Sequence, residues 1–166
     1  MKLVDTFWFN AAWFQATWFC CVLGREPWVP VAIISLVLHF VLVEDRIAEF
    51  RRLLPIALLG IAVDVALTLT GVFVFESTLI VPLWLVVLWW VFAAALYRSF
   101  AKIGQSLWLA AVLGGVAVPF NYRVGASLGA VSLPYGDVVS LAILVVVWAA
   151  LLPLLYRMSQ RLAQPV

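Results

Sequence analysis

Uncharged, mostly apolar runs follow one another along almost the whole chain, and the charged residues stand between them. A transmembrane helix needs about 20 predominantly apolar residues, within a range of roughly 17–25. The runs have this length, and Asp64 is the one charge that falls inside them. The pattern therefore predicts six transmembrane helices, at residues 6–24, 27–43, 53–75, 77–97, 103–122 and 138–156.

Continuous apolar runs are typical of membrane helices, whereas the strands of a membrane barrel alternate apolar and polar residues. We therefore expect an all-α, polytopic transmembrane bundle of six helices, a single integral membrane domain over residues 1–166. The stretch 119–137 is the exception, because it contains three glycines, two prolines and two tyrosines. We expect it to be an outer loop or a re-entrant, broken segment packed in protein.

Two prolines refine the predicted helix ends. Pro55 is expected in the first turn of the third helix, where the missing N–H costs nothing. Pro119 lies near the end of the fifth predicted helix, where we expect a kink or a stop.

The composition excludes several classes of protein. The chain is 67% hydrophobic and 11% charged, whereas an average soluble domain is roughly 45–50% apolar and about 25% charged. A soluble domain of this length cannot bury so much apolar surface. Disordered proteins, disulfide scaffolds and nucleic-acid modules are excluded on the same grounds, so we expect no nucleic-acid partner.

Lys and Arg are distributed unequally between the two ends of the predicted helices. On one side are Lys2, Arg46, Arg51, Arg52, Arg98, Lys102, Arg157 and Arg161. The other side carries Arg25 and Arg123. Because short loops rich in Lys and Arg remain in the cytoplasm, this bias predicts that both termini are cytoplasmic.

Polar residues inside the hydrocarbon are the candidate site, since such residues are costly there. Gln15, Ser35 and Asp64 lie at the centres of the first three predicted helices. We expect them to form a ligand-binding or structural polar layer near the bilayer midplane, joined by Thr68. Asp64 has two open interpretations, a functional group or a hydrogen bond that locks the bundle.

Small residues predict where the helices pack. Gly60, Asp64, Thr68 and Gly71 recur at spacings that place them on one face of the third helix, which we expect to point into the bundle. Ala12 and Ala16 form a similar small pair on the first helix.

A second polar pair, Asn10 and His39, is predicted nearer the cytoplasmic face. His39 is the sole histidine, so a site with several histidine ligands is impossible and we expect neither a metal nor a cofactor. His39 could form a proton relay with Glu44, Asp45 or Glu49. The alternative is a histidine whose hydrogen bonds are satisfied at the interface.

Residues along nearly the whole chain carry a family resemblance. They are Asn10, Gln15, Trp18, Cys21, Gly24, His39, Gly60, Asp64, Gly71, the stretch 82–93, Gly115, Tyr122, Gly125, Gly129, Trp148 and Pro153. This set resembles an uncharacterised, domain-of-unknown-function family of small bacterial inner-membrane proteins. The resemblance implies a bacterial cytoplasmic membrane and genes near cyclopropane-fatty-acid-synthase-like lipid enzymes, and it implies no activity.

Three functions remain open from the sequence. The first is a non-catalytic membrane subunit or accessory factor for fatty-acyl modification, with membrane lipids and a lipid-modifying enzyme or another membrane protein as partners. The second is a small transporter or substrate-binding component with a midplane site around Asp64. The third is an intramembrane lipid-modifying enzyme. No phosphate loop, nucleophile elbow or metal cluster is present, which favours a non-enzymatic role. A homo-oligomer is compatible with all three.

Overall fold

The computed structural model describes residues 3–163, and within that range six α-helices follow one another along the chain. They are α1 (Phe7–Gly24), α2 (Val29–Leu42), α3 (Arg46–Leu69), α4 (Leu83–Leu96), α5 (Leu107–Ser127) and α6 (Gly136–Ala163). Short 3-10 turns precede α1, α2 and α5, at Leu3–Asp5, Glu26–Trp28 and Ile103–Gln105. The predicted all-α polytopic bundle is confirmed.

Three of these helices, α3, α5 and α6, are long enough and apolar enough to cross a membrane. Two further apolar helices are shorter, at Glu26–Leu42 and Leu83–Leu96. With 14 residues in α4, that helix is about 21 Å long, less than the roughly 30 Å of a hydrocarbon core. The chain is therefore a membrane protein in which helices of unequal length pack together.

α3 begins earlier than the charge pattern predicted, at Arg46 rather than at residue 53. Asp45 caps its start, because the Asp45 carboxylate accepts hydrogen bonds from the backbone N–H groups of Ile47 and Ala48 at 3.0 and 2.9 Å. Pro55 consequently lies inside α3 and not in its first turn. The charged residues mark where the apolar surface begins, whereas the cap determines where the helix begins.

The segment between α3 and α4 is not helical, so the fourth helix is shorter than the predicted 77–97. Pro82 is extended and precedes α4. Earlier in the segment, Val74 pairs with Ser132 in a single antiparallel bridge, and Phe73 is fully buried. The bridge supplies backbone hydrogen bonds, which irregular chain needs when it lies within a membrane protein.

The stretch 119–137 was predicted to be a loop or a broken segment, and this prediction is wrong for its first half. α5 continues through Pro119 to Ser127, and non-helical backbone follows only from 128 to 135. Pro153 likewise lies within α6. α5 and α6 pack closely along their lengths, so each helix is held on both sides of its proline and one lost backbone bond does not end it.

The helices form two groups. α4 packs against α1, α2 and α3, whereas α5 and α6 form a hairpin that contacts the rest chiefly through α3. We call the boundary between α1–α4 and the α5–α6 hairpin the seam. Asp64 and the aromatic side chains around it, described next, lie in it.

Candidate functional site

Asp64 is fully buried in the last third of α3 and is held by two neutral donors. The indole Nε1–H of Trp89 donates to Asp64 Oδ2 at 2.7 Å, and the hydroxyl of Tyr122 donates to Asp64 Oδ1 at 2.8 Å. Trp89 belongs to α4 and Tyr122 to α5. These three residues, the Asp64 network, therefore connect both groups of helices across the seam.

Gly60 makes room for this network one turn before Asp64. A Cβ at Gly60 would lie 2.2 Å from the ring of Trp89, so a larger residue would displace the indole. Trp89 in turn stacks on Trp148 of α6, with parallel rings whose centroids are 5.5 Å apart. Small residues on one helix and large aromatic residues on the next thus determine the position of the donor to Asp64.

A cavity of about 120 Å³ lies in the seam beside the Asp64 network. Its wall is mainly aromatic and includes Trp18, Trp84, Trp89, Phe92, Tyr122 and Trp148. We call this cavity the seam pocket. Trp148 is 3% exposed, and its Nε1–H has no hydrogen-bond acceptor among the described residues. The pocket is thus a mostly apolar space whose wall includes a tryptophan with a buried, unpaired N–H.

The residues of the predicted polar layer lie in different parts of the bundle. Ser35 lies between α1 and α2, where its Oγ accepts from Trp13 Nε1 at 2.7 Å and lies 2.9 Å from Thr17 Oγ1. Gln15 is exposed on the outer surface of α1. Thr68 donates to the backbone oxygen of Asp64 on its own helix at 2.9 Å. Equal depth in the membrane therefore did not bring these side chains together, because they face different directions around the bundle.

The small residues predicted to pack helices also differ in their roles. Gly60 is buried against Trp89, whereas Gly71 lies beyond the end of α3 with a φ of +75°. Gly71 therefore allows the left-handed turn that ends the helix. Ala12 and Ala16 are exposed on α1 and face away from the described bundle. They therefore do not pack against another helix of the described chain.

A second buried carboxylate, Glu49, is held by cationic and ring nitrogen groups. His39 Nε2 lies 2.8 Å from Glu49 Oε1, and Arg98 Nη1 lies 2.7 Å from the same oxygen. Arg98 Nε also reaches Asp5 at 3.2 Å. We call these four residues the Glu49 cluster. Of the three acidic partners considered for His39, the structure selects Glu49.

Asn10 and His39 border a shared cavity of about 310 Å³ that also touches Trp13 and Ser35. Asn10 does not bond to His39 in the structure. Its buried Oδ1 accepts from Ser99 Oγ at 2.7 Å and from Ser99 N at 3.2 Å. His39 stacks on Trp13, with centroids 4.9 Å apart. The predicted pair therefore shares a wall and has separate hydrogen-bond partners.

Several residues of these sites were not predicted as site residues, among them Trp89, Tyr122, Trp148, Arg98 and Asp5. Deeply placed tryptophans were a usable signal, because an indole N–H inside hydrocarbon needs an acceptor. Tyr122 was missed because it is the last residue of the predicted fifth helix and also falls in the stretch expected to be a loop or a broken segment. Among the described residues, no three His, Cys, Asp or Glu side chains are grouped in a way that could hold a metal ion.

A comparison with known families assigns the chain. The family described as "Protein of unknown function (DUF2878)" matches residues 7–154. The chain belongs to this family. The match contains the Asp64 network, the seam pocket and most of the Glu49 cluster, with Asp5 outside it. No curated protein and no solved structure matches the chain.

Proposed function

We propose that the protein is a non-catalytic membrane component that binds an apolar, lipid-like molecule in the seam pocket. The observation that carries this proposal is an aromatic-lined cavity between two groups of helices. Ligand sites in proteins are concave, mostly apolar, and often lie between helices of a bundle. The seam pocket has these properties.

The size of the pocket limits what part of a ligand it holds. A cavity of about 150 Å³ is known to bind benzene, and the seam pocket measures about 120 Å³. It therefore accommodates one ring or the end of a chain, and the rest of the molecule lies outside. Trp18 is partly exposed and Asn121 is exposed in the lining, so the pocket is reachable from the surface of the bundle.

The hydrogen bonds of Asp64 favour a binding role over an enzymatic one. Both of its carboxylate oxygens already accept a short hydrogen bond, from Trp89 and from Tyr122. A general acid or base must instead reach a proton of the substrate. Asp64 is better suited to hold two walls of the pocket in place.

Toluene titration of protein in lipid nanodiscs tests this function, with the indole ¹H–¹⁵N resonances as readout. We expect saturable shifts for Trp89 and Trp148, which line the pocket, and none for Trp108, which is 78% exposed. Ala130→Leu adds volume at the buried wall and should abolish the shifts. Equal, non-saturating shifts of every indole, or full binding by Ala130→Leu, would contradict the proposal. Ala142→Leu, at an exposed position of α6, is the matched control.

The proposed location is the bacterial cytoplasmic membrane, with both termini inside. Arg52 and Arg98 support this orientation, because the Tyr97 hydroxyl contacts the backbone of Arg52 and thereby joins the two basic segments at one end of the bundle. C-terminal fusions to green fluorescent protein and to alkaline phosphatase test it. We expect fluorescence and no phosphatase activity, and the reverse result would contradict the orientation.

An accessory role in fatty-acyl modification is a second candidate, favoured by the outer face of α1. Gln15 is exposed there between Ala12 and Ala16. An exposed amide is costly in lipid, and small residues allow another helix to approach closely. We expect Gln15→Leu to separate the protein from a membrane partner in native mass spectrometry, whereas Val146→Leu, exposed on α6, should not. If the Gln15→Leu protein still appeared at the mass of the complex with its partner, this role for α1 would be contradicted.

A further inference from the structure

Trp148 lines the seam pocket, and its buried indole N–H has no hydrogen-bond partner among the described residues. A buried polar group without a partner is costly, and most such groups in proteins are paired. Because the Trp148 ring lines a cavity and its N–H is unpaired, the missing acceptor points to a ligand. The indole is only 3% exposed, so bulk water does not satisfy it.

The neighbours of Trp148 do not provide an acceptor. Trp89 stacks flat on it and uses its own N–H for Asp64, and the Tyr122 hydroxyl also donates to Asp64. The two Asp64 oxygens are thus already engaged. Of these donors around the pocket, the N–H of Trp148 is the one left for a ligand.

The lining also indicates the charge and shape of the ligand. The residues that line the pocket include no Lys, Arg or His, so a carboxylate or phosphate would be buried without a counter-charge. Flat rings dominate the wall, and aromatic faces pack well against another planar group in offset-stacked or edge-to-face geometry. A neutral, unsaturated ring with a flat face fits both constraints.

We propose that the seam pocket binds an unsaturated ring that carries a carbonyl oxygen, as in a cyclic enone or a quinone, and that this oxygen accepts a hydrogen bond from Trp148 Nε1. The inference rests on the proposed function, because it names the ligand class of the same pocket. A plain hydrocarbon chain in the same place would leave the N–H of Trp148 unpaired. The carbonyl is therefore the feature to test.

Two matched probes separate the ring from its carbonyl. Isophorone is a trimethylcyclohexenone, and 1,5,5-trimethylcyclohexene has the same ring and methyl groups without the oxygen. Each is titrated into ¹⁵N-indole-labelled protein in nanodiscs. We expect both to shift the resonances of Trp89, and isophorone alone to move the Trp148 indole proton downfield, as a new hydrogen bond does.

A variant measures how much the hydrogen bond contributes to affinity. Trp148→Phe keeps an aromatic ring and removes the N–H, so we expect isophorone to bind about fivefold to tenfold more weakly. Its affinity for the hydrocarbon should change less than twofold. Trp108→Phe, at a position that is 78% exposed, is the matched control and should change neither. The downfield shift in the unmodified protein tests the inference even if Trp148→Phe fails to fold.

The outcomes distinguish this inference from the proposed function. If both probes bind in the pocket and neither moves the Trp148 proton downfield, the carbonyl inference is wrong and the apolar binding site stands. If neither probe shifts any pocket indole, both are wrong. Equal loss of affinity for the two probes in Trp148→Phe would also overturn the hydrogen bond.

Discussion

Two buried carboxylates on α3 have opposite kinds of partners. Asp64 accepts hydrogen bonds from a neutral indole and a neutral phenol, Trp89 and Tyr122. Glu49 instead binds the guanidinium of Arg98 and the ring nitrogen of His39. The two sites belong to one helix, so the difference between them reflects their positions along it.

Depth explains the difference. Glu49 lies in the first turn of α3, close to several exposed charged residues, whereas Asp64 lies where the helix is apolar on both sides. A second charge brought to the middle of a membrane protein carries its own desolvation cost. Neutral donors avoid that cost, because they satisfy the carboxyl oxygens without adding a charge. The two carboxylates should therefore respond differently to the same kind of substitution.

Glu49→Gln should have the largest effect, because it leaves Arg98 without its buried counter-charge. Removing one partner of a buried ion pair costs about 3–5 kcal/mol of stability. We therefore expect the free energy of unfolding, measured in mixed micelles, to fall by about 4 kcal/mol. Glu76→Gln, at an exposed position, is the control and should change little. A loss no larger than that of Asp64→Asn would remove the proposed distinction between the two sites.

Gly60→Ala should come next, since its Cβ would lie 2.2 Å from the ring of Trp89. Overpacking typically costs 1–3 kcal/mol, and displacement of Trp89 from Asp64 places this variant near the upper value, about 3 kcal/mol. Gly115→Ala is the matched control, because its Cβ would meet Ala149 at 3.4 Å. Unfolding measurements that give equal losses for the two variants would show that the fit of Trp89 to α3 does not matter.

Asp64→Asn should lower the free energy of unfolding by about 2 kcal/mol, because one amide oxygen replaces two acceptors and one buried donor is left unsatisfied. The loss should be smaller than that of Glu49→Gln, since no cation loses its buried counter-charge. In a double-mutant cycle, Asp64→Asn and Tyr122→Phe should show coupling, because the two side chains share a 2.8 Å hydrogen bond. Additive losses would separate Tyr122 from the network.

Tyr122→Phe alone should have the smallest effect, about 1 kcal/mol, the net value of one hydrogen bond. Asp64 would keep its bond from Trp89 at 2.7 Å. Tyr135→Phe, which removes an exposed hydroxyl bonded to the backbone of Thr70, is the comparison variant. If Tyr122→Phe destabilised the protein as strongly as Glu49→Gln, one neutral hydrogen bond would contribute as much stability as the charged cluster, which would contradict the comparison.

Helix ends show where the sequence was a reliable guide and where it was not. Charged residues correctly separated the apolar runs, because charge is excluded from hydrocarbon. They did not locate the start of α3, which depends on the Asp45 cap, or the end of α5, which passes Pro119 because the contact with α6 holds the helix together. Capping is a local effect and helix packing is a tertiary one, and a hydropathy pattern contains neither.

The candidate site shows the same limit. Depth along the chain placed Asp64, Ser35 and Gln15 at one level, but the direction of each side chain around the bundle was unknown. That direction depends on which helices pack together, and it separated the three residues. It also brought Tyr122 to Asp64 from a distant part of the chain.

By itself, the sequence determined the class of the protein: an all-α membrane bundle with a single charged residue inside its apolar runs. The reason is that transfer of charge and backbone polar groups into hydrocarbon is costly enough to set the pattern of the whole chain. Only the tertiary structure decided the partners of that residue and the pocket beside it. Hydrogen bonds and cavities depend on distances of a few ångströms between helices, and those distances come from the packing of small residues such as Gly60 against large ones such as Trp89.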